Sequence, residues 1–480
     1  MAASILWYDL ETFGRHPQWD RIAQFAAIRT NDRFEDIEEP VNIYCAAAPD
    51  YLPNPEACLV SKLTPRFVNA EGIRERDFAA KINALMMVPK TCITGYNSLR
   101  FDDEFIRALF YRNFFDPYKR EYANGNTRWD IINLFRMAHD LRPEGIVWPR
   151  DSEGRSSFKL EALCAANGIE LKEAHNALYD VRATIACAKL IHEKQRKLFK
   201  YFFSLRKKDE VRRNLSLQKK QPVVYTSGIF RTEKGSTSLV MPLSVHPHMP
   251  NVIIAYDLRR DPSGWIDESA ENISERVFAK KDELDAELRI PLISIYINRS
   301  PAIAPLSTLS AEQAENLGID IERCQKNADF LMKRNDLIQK IRAVYQSAEH
   351  KKYDDPELQI YSGDFFPDDD KTVFNFIRNS SPEELISAQP KLYDRRGPEL
   401  LRRYIARNFP DKMPEPEREK WKSFCASRLL TPEPDGAVDF GSYMRDVRNR
   451  LSRVDTPAQD KKILKELLDY GEYLEKTVLS

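Results

Sequence analysis

The chain has 480 residues, 42% of them apolar and 30% charged, with 73 Lys and Arg offsetting 73 Asp and Glu. That length exceeds what one hydrophobic core supports, so about two to four domains are expected. Zero net charge removes any whole-molecule field that would steer a polyanion, and no apolar run reaches the roughly 18 residues needed to span a membrane.

The N-terminus lacks a basic segment and meets Asp9 and Glu11 before any long apolar run, which argues against a signal peptide. Ile5 to Asp9, Gln24 to Arg29 and Val41 to Cys45 read as strands. Phe78 to Val88 has helical spacing that Pro89 stops, and Thr91 to Tyr96 returns to strand character. Further helices are predicted over 104–114, 129–140, 159–167 and 177–194. Residues 1–195 thus read as an α/β domain. Between Lys189 and Lys220 twelve Lys or Arg face three acidic residues, with Phe199, Tyr201, Phe202 and Phe203 interleaved. Either a solvated linker or a nucleic-acid surface fits that stretch.

Residues 196–349 turn β-rich, with short β-branched runs at 222–227, 237–243, 251–256 and 291–298. Ser310 with Gln313 has capping-box spacing, and Gly318 sits where a left-handed residue would close that helix. In residues 350–480 strand signals fade. Helices are predicted over 399–408 and 416–427, and a last one is expected to start with Thr456 as N-cap and Pro457 at its first position. The seven cysteines are scattered without zinc spacing and read as reduced, buried thiols of a cytoplasmic protein.

The chemistry rests on a few acids. Asp9 and Glu11 end the first strand, where residues i and i+2 project from one face. Two like charges there are costly unless neutralised, and a divalent cation with hard oxygen ligands does so. A lone D-x-E is weak evidence, since solvated strand ends carry it by chance. Asp102 follows a predicted strand at the mouth of a helix, where it could equally be an N-cap, and spacing alone leaves Asp103 open as the functional acid. His175 precedes Asp180 by five residues at the start of an alanine-rich helix. In isolation His175 reads as a surface or capping histidine. As a set these residues resemble the DEDDh exonuclease pattern, which implies that Asp9, Glu11, Asp102 and Asp180 share two ions and His175 takes a proton from water, as phosphodiester hydrolysis requires.

The order D-x-E, Asp, H-x4-D resembles the DEDDh group of 3′→5′ exonucleases. Blocks at 8–14, 23–30, 89–97, 100–104, 110–114, 141–145 and 404–410 are similar to one of its families, exonuclease I, along nearly the whole chain. The resemblance implies an RNase H-like exonuclease domain with a mixed sheet, an SH3-like β domain and a helical C-terminal domain, together clamping single-stranded DNA. It implies Mg²⁺, with Mn²⁺ possible, release of nucleoside 5′-monophosphates, and a role in DNA repair and recombination. By position it makes Arg107, Tyr118, Arg136 and Phe158 DNA contacts beside Glu11 and Lys159, types that suit phosphate and base stacking. Lys159 stands where the family pattern has Arg, keeping the charge but losing the bidentate fork. Arg142 and Tyr201 match positions that receive the acidic tail of single-stranded DNA-binding protein. A monomer is expected, and a fragment ending near Arg196 is expected to cleave short oligonucleotides without processivity.

Three rivals make different demands on the sequence. An RNA-trimming or proofreading DEDDh enzyme would end near the H-x4-D helix. A non-catalytic DNA-binding scaffold would gain by losing acids beside phosphates. A small-molecule phosphodiesterase would leave the basic linker and added domains without a purpose.

Overall fold

The residues Ser4–Thr12 alternate between two covered faces, which is why the run is apolar almost throughout yet still strand-like. Leu6, Tyr8 and Leu10 enter one core, while Ile5 and Trp7 enter another. The computed structural model describes residues 4–170, 176–230, 232–280, 282–334, 336–346, 352–432 and 437–480. In it this strand, β1, is the middle of a mixed five-stranded sheet with β2 (Ile22–Thr30), β3 (Val41–Tyr44), β4 (Thr91–Gly95) and β5 (Thr127–Asp130). The order is β3-β2-β1-β4-β5; β1 pairs antiparallel with β2 and parallel with β4.

Helices α1 (Pro55–Ser61), α2 (Pro65–Glu71), α3 (Glu75–Met86), α4 (Asp102–Arg112), α5 (Ile132–Leu141), α6 (Leu160–Ala166) and α7 (Ala177–Lys194) surround the sheet. Phe78, Ile82, Ile106 and Phe110 of α3 and α4 cover the Leu6 face, and α7 lies across β1 and β2 on the other. Then come α8 (Arg196–Ser204) and α9 (Lys208–Asn214).

The second sheet, ordered β10-β6-β7-β8-β9, is antiparallel. Its strands are β6 (Val223–Thr226), β7 (Thr237–Val245), β8 (Val252–Asp257), β9 (Leu292–Tyr296) and β10 (Ala302–Pro305), with α10 (Ala270–Phe278), α11 (Ala311–Leu317), α12 (Ile321–Met332) and α13 (Leu337–Gln346) around them. The remainder is helical: α14 (Asp368–Asn379), α15 (Pro382–Ala388), α16 (Gly397–Asn408), α17 (Glu415–Leu430), α18 (Phe440–Ser452) and α19 (Ala458–Leu474). Its apolar residues meet the first domain at two patches, Tyr443 and Leu467 near Phe13 and Tyr51, and Phe374 and Tyr404 near Tyr111 and Phe114. Between them Asp50 and Glu357 are buried among Arg21, Arg407 and Arg428.

Ser310 and Gln313 form the reciprocal capping box, and Gly318 ends α11 at φ 68°. Two expectations need correction. The predicted helix over 129–140 begins at Ile132, because Thr127 to Asp130 pairs in parallel with β4 and buries Trp129 in the sheet. Thr456 does not cap the last helix; its hydroxyl donates to the Arg450 carbonyl at 2.8 Å, and α19 opens without a side-chain cap. The rings of the basic stretch serve packing: Phe199 and Phe202 are buried, and Phe199 and Phe203 meet Trp129 edge-on at 5.3 and 5.0 Å.

Candidate active site

β1 outruns its parallel partner. The β1–β4 register ends at Trp7 opposite Thr94, so Asp9 and Glu11 project beyond β4, on the same face as Ile5 and Trp7 and therefore toward α7. Asn176 caps α7 by accepting from the Leu178 N–H, and Asp180 lies in the first turn, where the helix dipole favours negative charge. Carboxylate oxygens of Asp9, Glu11 and Asp180 come within 4.8 Å of one another.

Asp102 arrives from the opposite side, in the first turn of α4. The loop that delivers it turns at Asn97, with φ 62°, after a close approach at Gly95, where a Cβ would lie 2.7 Å from the Tyr8 carbonyl oxygen. Asp130 clamps this loop: its carboxylate accepts from the backbone N–H groups of Asn97 (2.9 Å), Leu99 (3.1 Å) and Ile132 (3.0 Å). Sequence reasoning missed Asp130, and its only signal was an Asp at a strand-to-helix junction read as helix.

The structure separates the adjacent pair that spacing left open. Asp103 accepts from the Tyr8 hydroxyl at 2.7 Å and is ion-paired with Arg120 and Arg128, all buried. Despite burial, these guanidiniums hold its carboxyl well below the usual range. Asp102 makes no ion pair among the described residues, and burial, with Asp103 and Asp130 near, pushes it well above that range. Asp9 is raised likewise, by burial and then by Asp102 and Asp180. Burial, then Asp9 and Asp180, lift Glu11 to about 9. Acids crowded this closely are what a divalent ion relieves, and this donor set of hard oxygens fits one.

The other expected residues fall into separate groups. Arg107 is buried, paired with Glu104 and Glu121 at 2.8 Å each, its guanidinium 5.2 Å from the Tyr118 ring. Arg299, from the second domain, also reaches Glu104, at 3.1 Å. Arg136 lies 5.9 Å from the Phe158 ring, which packs against His139 and Trp148. Lys159 is exposed at the N-cap of α6 and makes no ion pair among the described residues. Arg142 and Tyr201 converge on one segment of the second domain: Arg142 donates to the Thr308 carbonyl at 3.4 Å and Tyr201 to that of Ile303 at 2.9 Å. His175 lies outside the described residues. A cleft of 630 Å³ opens beside Glu11, walled by Arg15, Asn54 and, from the third region, Tyr443 and Arg450.

A mixed sheet whose central strand ends in paired carboxylates, met by acids from two helices, defines a metal-dependent exonuclease, and the Exonuclease family profile matches residues 6–188. Profiles for the Exonuclease I SH3-like domain and the Exonuclease I C-terminal domain match residues 206–347 and 354–474. The chain belongs to the exonuclease I family of exodeoxyribonucleases. Exodeoxyribonuclease I of Escherichia coli is 39% identical over 471 residues, covering 98% of each chain. Its structure with a dA16 oligonucleotide superposes with a TM-score of 0.93 at 38% identity, over 98% of this chain and 100% of that one. A moderately thermophilic Exonuclease I from Methylocaldum szegediense gives 0.93 at 42% identity, over 98% and 99%. An SSB/Exonuclease I structure in complex with an inhibitor gives 0.90 at 37%, over 99% and 100%.

Proposed function

We propose that this enzyme removes nucleotides from the 3′ end of single-stranded DNA by two-metal hydrolysis, releasing nucleoside 5′-monophosphates in DNA repair and recombination. The observation that carries this reading is the approach of Asp9, Glu11 and Asp180 within 4.8 Å, with Asp102 acting on Asp9. Asp9, Glu11, Asp102 and Asp180 would hold two Mg²⁺ ions, or Mn²⁺ in their place, which would supply charge to stabilise the attacking and leaving oxygens. His175, five residues before Asp180 in the chain, takes the proton of the attacking water, a role that suits an imidazole.

Glu11 also contacts the substrate. Lys159 holds the phosphate as a point charge, and Phe158 and Tyr118 offer rings to the bases. Arg136 beside Phe158 supplies a backbone contact. Arg107, already shared by Glu104 and Glu121, orients the Tyr118 ring more than it clamps phosphate. We place the domain limits at 1–195, 196–349 and 350–480 and read the protein as a monomer; a cytoplasmic setting is supported by the seven free, buried cysteines.

A comparison of end-labelled single-stranded DNA, duplex DNA and RNA with Mg²⁺ tests the substrate: single-stranded DNA should shorten from its 3′ end fastest. Equal digestion of all three would contradict the reading. The same reading extends to the acidic, hydrophobic tail of single-stranded DNA-binding protein, received at Arg142 and Tyr201. Among the described residues Arg142 makes no ion pair, which leaves its charge to a tail carboxylate. Titration of a labelled tail peptide should show binding that Arg142→Ala weakens, and no binding would remove the idea.

A further inference from the structure

We propose that Cys164 and Cys187 form a thiol-oxidation site, at which a hydroperoxide joins them in a disulfide that reversibly slows the nuclease. Cys164 lies in α6 and Cys187 in α7, 23 positions apart, with their Sγ atoms 3.4 Å apart and both residues buried. Sulfurs at that separation are in contact, and a disulfide needs about 2.0 Å. Closing the gap therefore asks for a small helix shift and no unfolding.

The pair is chemically asymmetric. Either sulfur can donate to the other; the contact with Cys187 lowers the Cys164 thiol, while the contact with Cys164, and then burial, raise Cys187. Attack on the peroxide then starts at Cys164. Its sulfur takes one peroxide oxygen to become a sulfenic acid, and the other oxygen leaves as water. The Cys187 sulfur next displaces the sulfenic oxygen, which departs as a second water. Two thiols are oxidised and one peroxide is reduced.

The location ties this chemistry to the site. Asp180 precedes Cys187 by seven residues, two helical turns, and so shares its face of α7. Lys159 precedes Cys164 by five and caps the same short helix, α6. Drawing the sulfurs together thus pulls on the two helices that present Asp180 and Lys159. A misplacement of about 1 Å at reacting groups can lower turnover up to about a hundredfold. A loss of about tenfold or more is expected here.

The test uses the full-length protein and reads linkage separately from activity, because the activity effect rests on the proposed nuclease reading and the linkage does not. After hydrogen peroxide, free thiols are alkylated under denaturing conditions and the protein is digested without reduction for mass spectrometry. A linked Cys164–Cys187 peptide, slower digestion of single-stranded DNA, and recovery with dithiothreitol are expected. Cys164→Ser and Cys187→Ser should each abolish both linkage and peroxide sensitivity. Alkylation of both cysteines in peroxide-treated wild type would overturn the site, whatever the variants do. A linked protein with unaltered turnover, or a rate loss shared equally by the variants, would overturn the control.

Discussion

Neighbouring carboxylates on α4 receive opposite treatment from their surroundings. Asp103 is neutralised inside the fold by Arg120 and Arg128, whereas Asp102 meets other acids. Asp103→Asn should therefore act on stability, since removing one partner of a buried ion pair costs about 3–5 kcal/mol. Asp102→Asn should nearly abolish DNA hydrolysis and leave the Tm of the metal-free protein unchanged or raised. Thermal unfolding beside turnover checks this, and the reverse pattern would exchange their roles. No reading of adjacent Asp residues could rank them, because the deciding arginines lie 17 and 25 positions away. The acids also set a pH dependence. In the metal-free protein Glu11 titrates near 9 instead of 4.5, so the folded state keeps a proton that the unfolded state releases. Its stabilising contribution is full below pH 4.5 and is lost as pH rises toward 9. A divalent ion requires the deprotonated carboxylate, so the gain in Tm on adding Mg²⁺ should grow across that window. A gain equal at both ends would contradict the assignment.

At the scale of elements, β1 and α7 were legible in the chain because each carries a local pattern: an apolar run ending in D-x-E, and H-x4-D opening an apolar helix. β5 was not. Its four residues Thr127, Arg128, Trp129 and Asp130 show no alternation, and their strand character comes from pairing with β4. With β5 the role of Asp130 was hidden as well. By holding Asn97, Leu99 and Ile132, Asp130 fixes the loop that carries Asp102 into the site, so it is a positioning residue. Asp130→Ala should lower kcat by about 10- to 100-fold. KM for DNA should change little, and Asp130→Asn, which keeps an acceptor oxygen, should restore part of the rate. Equal losses in kcat for the Ala and Asn variants would argue against the clamp.

Across the whole molecule, the division into α/β, β-rich and helical parts was visible in composition, but the cohesion between parts was not. One apolar core runs from Trp7 and Trp129 into Val240 and Ile254 of the second sheet. Arg407 and Arg428 close on Asp50 across 357 and 378 positions, pairings that local sequence does not encode. This alters the expectation for a fragment ending near Arg196. Losing Phe199 and Phe202 uncovers Trp129, and losing the third region exposes Phe13, Tyr51 and an Asp50 left with Arg21 as its ion-pair partner. Such a fragment should aggregate, as size-exclusion chromatography would show, and a monodisperse fragment would mean that the added domains serve only substrate grip. The proposed hydrolysis depends on acids that work through a divalent ion. The most direct measurement is the rate of nucleotide release from labelled single-stranded DNA by the wild-type protein, first in excess EDTA and then after Mg²⁺ is restored. No release in EDTA and full recovery with Mg²⁺ are expected, and undiminished release in EDTA would rule out hydrolysis through these acids and a metal ion.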